Sequence, residues 1–271
     1  MVRARSFYIC VIIVTIMGCA TVPSTGRQQL ALVPTETLLE VSEQNYQQIL
    51  NQSTICQDQQ KIAVVDKVGE RVINAARRFM WQHGMEEDLD HFVWGFTLIE
   101  DPNTVNAGSL PDGRVIIYTG IFQAAMDENG LAVVLAHEIA HGIAQHGRER
   151  MSQLLIAQLG GLSLAEALVR KPVETQQAWL QAYGLGVTYG LLLPYSRAQE
   201  KEADTIGLTI MAKAGYDPRG AVAFWQRMMQ IPGPQIPPYA STHPTDQDRI
   251  NAIQKALPEA LQAYEQTRFY G

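Results

Sequence analysis

The stretch "AHEIAH", residues 136 to 141, sets His137 and His141 four residues apart with Glu138 beside the first. Four residues of helix turn through about 400°, so the two imidazoles stand about 40° apart on one face and can reach a single tetrahedral metal ion. Glu138 projects about 60° from His141, within reach of a water on that metal but poorly placed to be a ligand itself. A carboxylate in that position suits the general-base step of metal-dependent peptide hydrolysis. Ile139, Ala140, Gly142 and Ile143 are uncharged, and a dry pocket of this kind favours neutral imidazole. The alternative is a surface helix with incidental histidines, and the apolar neighbours argue against it.

A catalytic zinc site needs a third protein ligand and an open fourth position. His146 is close in sequence, but on a helix running from Asp127 to His146 it would point to the face opposite His137. His83 and His91 lie outside any motif. "SRAQEKEAD" offers more, because Glu200 and Asp204 share a helix face and Glu202 lies about 160° from both. One carboxylate can bind the metal while the other holds the second nitrogen of a ligand histidine. A solvated charged face is an equal reading of the same residues.

These side chains need a scaffold. Apolar residues recur at helical spacing from Thr35 to Leu50 and from Asp58 to Trp81,. Phe92, Trp94, Phe96 and Leu98 alternate, as in a half-buried strand. Pro111-Asp112-Gly113 signals a turn before the β-branched run Val115 to Thr119, which predicts a hairpin or a strand–turn–strand unit. Residues 154–193 are apolar but interrupted by Glu166, Arg170, Lys171 and Pro172, which favours two packed helices with a polar corner over a membrane hairpin. Further helices are expected over Ser196–Ala214, after Pro218 and from Thr245, with the proline-rich loop "IPGPQIPPYASTHP" before the last. The fold class is therefore α+β and helix-rich, with one domain over residues 35–271.

The chain has 271 residues, 46% of them hydrophobic and 18% charged, a balance that fits a folded globular protein. Its net charge is −6 with no long basic run, which excludes nucleic acid as an expected partner. Arg3 and Arg5 precede an apolar run from Phe7 to Met17, and Gly18 stands directly before Cys19. Residues 1–18 fit a secretory signal and resemble a lipoprotein leader, with Cys19 as the lipidated residue and 19–34 as a membrane-proximal linker; an ordinary cleaved signal and an uncleaved anchor are the alternatives. With Ala20 after the cysteine, the expected location is the outer membrane of a Gram-negative bacterium, facing the periplasm and held by the lipid anchor. Cys56 is then left without an intramolecular disulfide partner and is read as a buried or free thiol.

"VVLAHEIAHGIAQH", "SRAQEKEAD" some fifty residues later and then "STHP" together resemble the zinc metallopeptidase family of the CAAX prenyl proteases and HtpX. The cysteine box followed by "TVPSTGRQQLALV" looks like its bacterial lipoprotein branch, of the LoiP and BepA type. The resemblance implies a zincin-like domain holding one zinc ion, with Glu200 as third ligand beside His137 and His141 and Asp204 as the supporting carboxylate. It also implies a small sheet whose edge strand borders the cleft and pairs with substrate, with Asn106 and Ala107 flanking the groove. The activity implied is endopeptidase cleavage of unfolded or misassembled envelope proteins.

His243, followed by Pro244 in a loop, could donate to a tetrahedral oxyanion, could occupy zinc's fourth position, or could be a plain loop histidine. His243→Ala is expected to alter cleavage while leaving zinc bound, which metal analysis beside a peptidase assay checks. The principal competing reading is a latent or non-proteolytic zinc-stabilised chaperone or assembly factor. A hydrolase acting on peptidoglycan or lipid is a second, and no motif distinguishes it.

Overall fold

A computed structural model of the chain describes residues 18–188, 192–231 and 247–270. Two short strands, β1 (Cys19–Thr21) and β2 (Gln28–Leu30), pair antiparallel, with Cys19 opposite Leu30. The stretch 19–34 thus does more than link: Val22 is buried in the core, and β2 packs against a long helix described below. Helices α1 (Thr35–Gln52) and α2 (Gln59–Gln82) follow the predicted apolar spacing. Asp58 fixes the start of α2 by accepting from the N–H groups of Gln60 and Lys61, satisfying donors that the first turn leaves open. Val65, Val68, Val72, Ala76 and Phe79 form its buried stripe.

The sheet contains β3 (Gly95–Ile99), β4 (Ala107–Ser109) and β5 (Arg114–Tyr118) in the order β3-β5-β4. β3 runs parallel to β5, while β4 is antiparallel to it and forms an edge. The strand expected from Phe92 begins three residues later. Phe92 and Trp94 instead stack on each other at 4.5 Å between ring centroids, and Phe92 fills the space over Gly113, whose φ of +90° suits a residue without Cβ,.

Helix α3 (Glu128–Ile143) carries the two histidines. Asp127 caps it, accepting from Gly130 N at 2.8 Å. Every residue from Gly130 to Ile143 is buried, as expected of a helix that is uncharged nearly all round and forms the core of a domain. The chain then turns into α4 (His146–Leu168) and α5 (Val173–Val187), followed by α6 (Leu193–Lys213), α7 (Gly220–Gln230) and α8 (Gln247–Tyr270). α6 packs along α3 on one side and α8 on the other. The apposition of α3 and α6 is close at Gly207, where a Cβ would stand 3.1 Å from His137 N and 3.2 Å from Ala136 O. Glu200 and Asp204 lie on the same face of α6, two turns and one turn before Gly207 respectively. Gly207→Ala is expected to push α6 off α3, costing about 1–3 kcal/mol and weakening metal binding. Denaturant unfolding and metal titration of the same sample would show both effects.

Candidate metal centre

The close α3–α6 contact brings His137, His141 and Glu200 together, all buried. His137 Nε2 and His141 Nε2 are 3.0 Å apart. Glu200 Oε2 lies 3.3 Å from the first and Glu200 Oε1 lies 3.2 Å from the second. A tetrahedral ion with bonds of about 2.0–2.1 Å sets neighbouring ligand atoms about 3.3 Å apart. The two imidazole nitrogens stand near that spacing, a Glu200 oxygen lies close to each, and one ligand atom from each residue lies within 4.8 Å of the others, so the residues fit a divalent metal. Glu138, on α3 beside His137, is 3% exposed.

Asp204 also comes to this site. Its Oδ1 lies 3.0 Å from His137 Nδ1, so a proton on Nδ1 donates to the carboxylate and the Nε2 lone pair is directed to the metal position. Arg249 of α8, which the sequence reading missed, holds Asp204 in a two-pronged pair, with Nε 2.6 Å from Oδ2 and Nη2 2.9 Å from Oδ1. The guanidinium lies 3.7 Å over the Trp225 ring, and its Nη1 is 2.9 Å from Glu200 Oε2. Burial pushes the Asp204 carboxyl up, but Arg249 and His137 outweigh it and hold the pKa below the usual carboxylate range. Burial and the Arg249 charge pull His137 down, yet Asp204 and Glu200 outweigh both and leave it raised to about 9. Metal uptake at His137 therefore displaces a proton.

The reading of His146 as facing away is corrected. α3 ends at Ile143, and Gln145 takes a left-handed conformation with φ of +53°. This resets the helical count and swings His146 back behind His141. Their Nδ1 atoms are 2.7 Å apart, and His146 Nε2 lies 2.8 Å from Glu202 Oε2. A single tautomer pattern satisfies the row: His141, ligating through Nε2, donates from Nδ1 to His146, which donates from Nε2 to Glu202. Burial pulls the His146 pKa below its ordinary value despite the Glu202 charge, which suits this neutral relay. Glu202 is buried as well, held by Arg27 Nε at 2.8 Å and by the Thr25 hydroxyl. Arg27 extends to Glu149 at 2.9 Å, and Gln199 donates to Glu149 at 2.7 Å. His146→Ala is expected to lower metal affinity by about 10–100-fold, which competition against a chromogenic chelator measures.

Ala107 opens the edge strand β4 and is buried, while the Asn106 carbonyl accepts from Tyr118 N at 3.1 Å. Leu110 N donates to Arg114 O at 2.8 Å at the other end of the pair. The antiparallel alternation between these two bonds leaves the backbone groups of Ala107 and Ser109 on the side away from β5. Cys56 is a buried free thiol, and Cys19 opens β1. His243 lies outside the described residues.

Comparison with known proteins accords with this geometry. The profile of Peptidase family M48 matches residues 65–257. The mitochondrial metalloendopeptidase OMA1 of Schizosaccharomyces pombe is 38% identical over 174 residues, covering 64% of this chain and 49% of that protein. Its namesake in Saccharomyces cerevisiae is 35% identical over 186 residues, covering 66% and 51%. A putative beta-barrel assembly-enhancing protease of Vibrio cholerae is 36% identical over 163 residues, covering 57% and 33%. The chain spans about half the length of these mitochondrial relatives. The expected location as a periplasm-facing outer-membrane lipoprotein is overturned by the relatives in fungi, a plant and animals, whose names place them in mitochondria. The helix-rich α+β fold, the buried triad and the profile match lead to one statement: the chain belongs to Peptidase family M48.

Proposed function

We propose that the protein is a zinc endopeptidase whose centre is held by His137, His141 and Glu200, with Glu138 as general base. One observation carries this reading: His137, His141 and Glu200, all buried, converge within 4.8 Å, with the buried Glu138 on the helix that carries the two histidines. Imidazole and carboxylate ligation makes zinc the natural ion. When bound, zinc supplies Lewis acidity, polarising a peptide carbonyl and making water acidic enough to lose a proton near neutral pH. Glu138 accepts that proton and passes it to the leaving amine. Asp204, fixed by Arg249, orients His137, while His146 and Glu202 orient His141. The edge strand β4 offers the backbone of Ala107 and Ser109 to an extended peptide, a mode that reads main chain rather than particular side chains.

A purely structural metal site has no use for a buried carboxylate at Glu138, which favours an enzyme over a zinc-stabilised chaperone. The names of the bacterial relatives, beta-barrel assembly-enhancing proteases, support unfolded or misassembled envelope proteins as substrates. The test is cleavage of an unfolded protein by the full chain before and after treatment with a zinc chelator. Activity lost on chelation and restored by zinc supports the reading; chelator-insensitive cleavage overturns it.

A further inference from the structure

The α4–α5 hairpin has the two packed helices and polar corner expected from sequence, yet it is not packed into the body along its length. The first two turns of α4 are anchored, with His146, Glu149, Ser152 and Gln153 buried. From Leu154 onward large apolar side chains face outward, including Leu159 and Leu162 on α4 and Trp179 and Leu185 on α5. α5 has no buried residue at all. Such helices in water would be laced with charge, but the stretches 151–165 and 175–196 contain no Asp, Glu, Lys or Arg. Beyond Arg148, Glu149 and Arg150 in the anchored first turns, the charges of the hairpin, Glu166, Arg170, Lys171 and Glu174, gather at the corner.

Two polar side chains of the hairpin are satisfied within it. Tyr183 packs against Gly160 and Gly161 and donates its hydroxyl to Ala157 O at 2.8 Å, and Ser163 donates to Leu159 O at 2.9 Å. Leu154, Leu155 and Ile156 are consecutive and all exposed, so they point around an arc of about 200°. A protein partner covers one face of a helix; an apolar solvent covers such an arc. α4 is also long and apolar enough to cross a membrane by length and composition.

The attachment of the N-terminal segment supplies an independent pointer. Gly18, which follows the apolar run Phe7–Met17, accepts from Ala31 N at 2.8 Å, and the next residue, Leu32, donates its N–H to Ser152 Oγ at 3.0 Å. Gly18 and the 31–32 segment therefore meet the body beside Ser152, two residues before α4 becomes exposed.

We propose that the α4–α5 hairpin inserts into the hydrocarbon of a lipid bilayer, corner first, and fixes the catalytic domain against the membrane. The twelve uncharged residues of α4 beyond the anchored turns, 154–165, reach about 18 Å into a hydrocarbon core about 30 Å thick. Arg170 and Lys171 at the corner can then extend their stems toward the far headgroups. α4 starts at His146, directly behind His141, so the metal centre would sit close above the membrane surface.

The test uses the full chain with phosphatidylcholine vesicles, with and without bromine on the acyl chains, and follows tryptophan emission. Wild type is expected to show at least about twofold quenching of the emission that Trp179→Phe removes. A Leu159→Glu, Leu162→Glu double variant, at exposed positions and checked for native circular dichroism and metal content, is expected to lose that quenching even where residues 7–17 still hold it on vesicles. Trp179 emission indifferent to brominated lipid overturns the proposal. So does a hairpin-dependent dimer in solution, broken by the double variant and unaffected by vesicles, because a second copy would then cover this surface.

Discussion

Replacing Glu138 by Gln is expected to leave the metal bound and to slow peptide cleavage by about 10²–10⁴-fold, the usual contribution of a general base. The amide keeps the size of the carboxylate, so the packing of α3 is preserved. It cannot accept a proton from water, so the step that generates the nucleophile is lost. Because Glu138 is not among the three converging donors, metal content should match wild type. Metal analysis and peptidase assay on one preparation separate the two effects. Equal cleavage by both proteins would remove Glu138 from the mechanism, and metal loss would move it into the ligand set.

Glu200→Gln is expected to have the opposite signature, with metal and activity lost together. A neutral amide is a poor zinc ligand, and the affinity loss should exceed the roughly 10–100-fold that follows removal of an outer partner. Stability should fall as well, because Glu200 is one of two buried carboxylates facing Arg249, and breaking a buried pair commonly costs about 3–5 kcal/mol. Asp204 retains both of its contacts to the guanidinium, so the fold should survive. Circular dichroism melts with zinc titration distinguish this outcome from general unfolding, in which signal and binding would vanish together without a native baseline.

Much of this centre was legible because it rests on local helical geometry. His137 with His141, and Glu200 with Asp204, are each four apart on one uninterrupted helix, so their shared faces follow from 3.6 residues per turn. The uncharged neighbours of the histidines announced the burial of α3. His146 was misplaced because the count was carried through Gln145, where the backbone turns left-handed. Glutamine gives no sign of such a break, and Gly142 and Gly147 were only weak hints. Arg249 was missed because its partners come from α3, α6 and α7, distant in sequence. It does share a face with Ile253, and a charge where a core residue is due was the available signal. Arg27 escaped for a related reason: a stretch rich in Pro, Gly and Thr reads as a linker, although here it supplies the cation behind Glu202.

Anomalous scattering at the zinc edge from crystals of the zinc-loaded full chain tests the central claim most directly. One strong peak is expected, bonded to His137 Nε2, His141 Nε2 and a Glu200 oxygen at about 2.0–2.2 Å from each. A peak held by His146 and Glu202, or by the Cys56 sulfur, would contradict it.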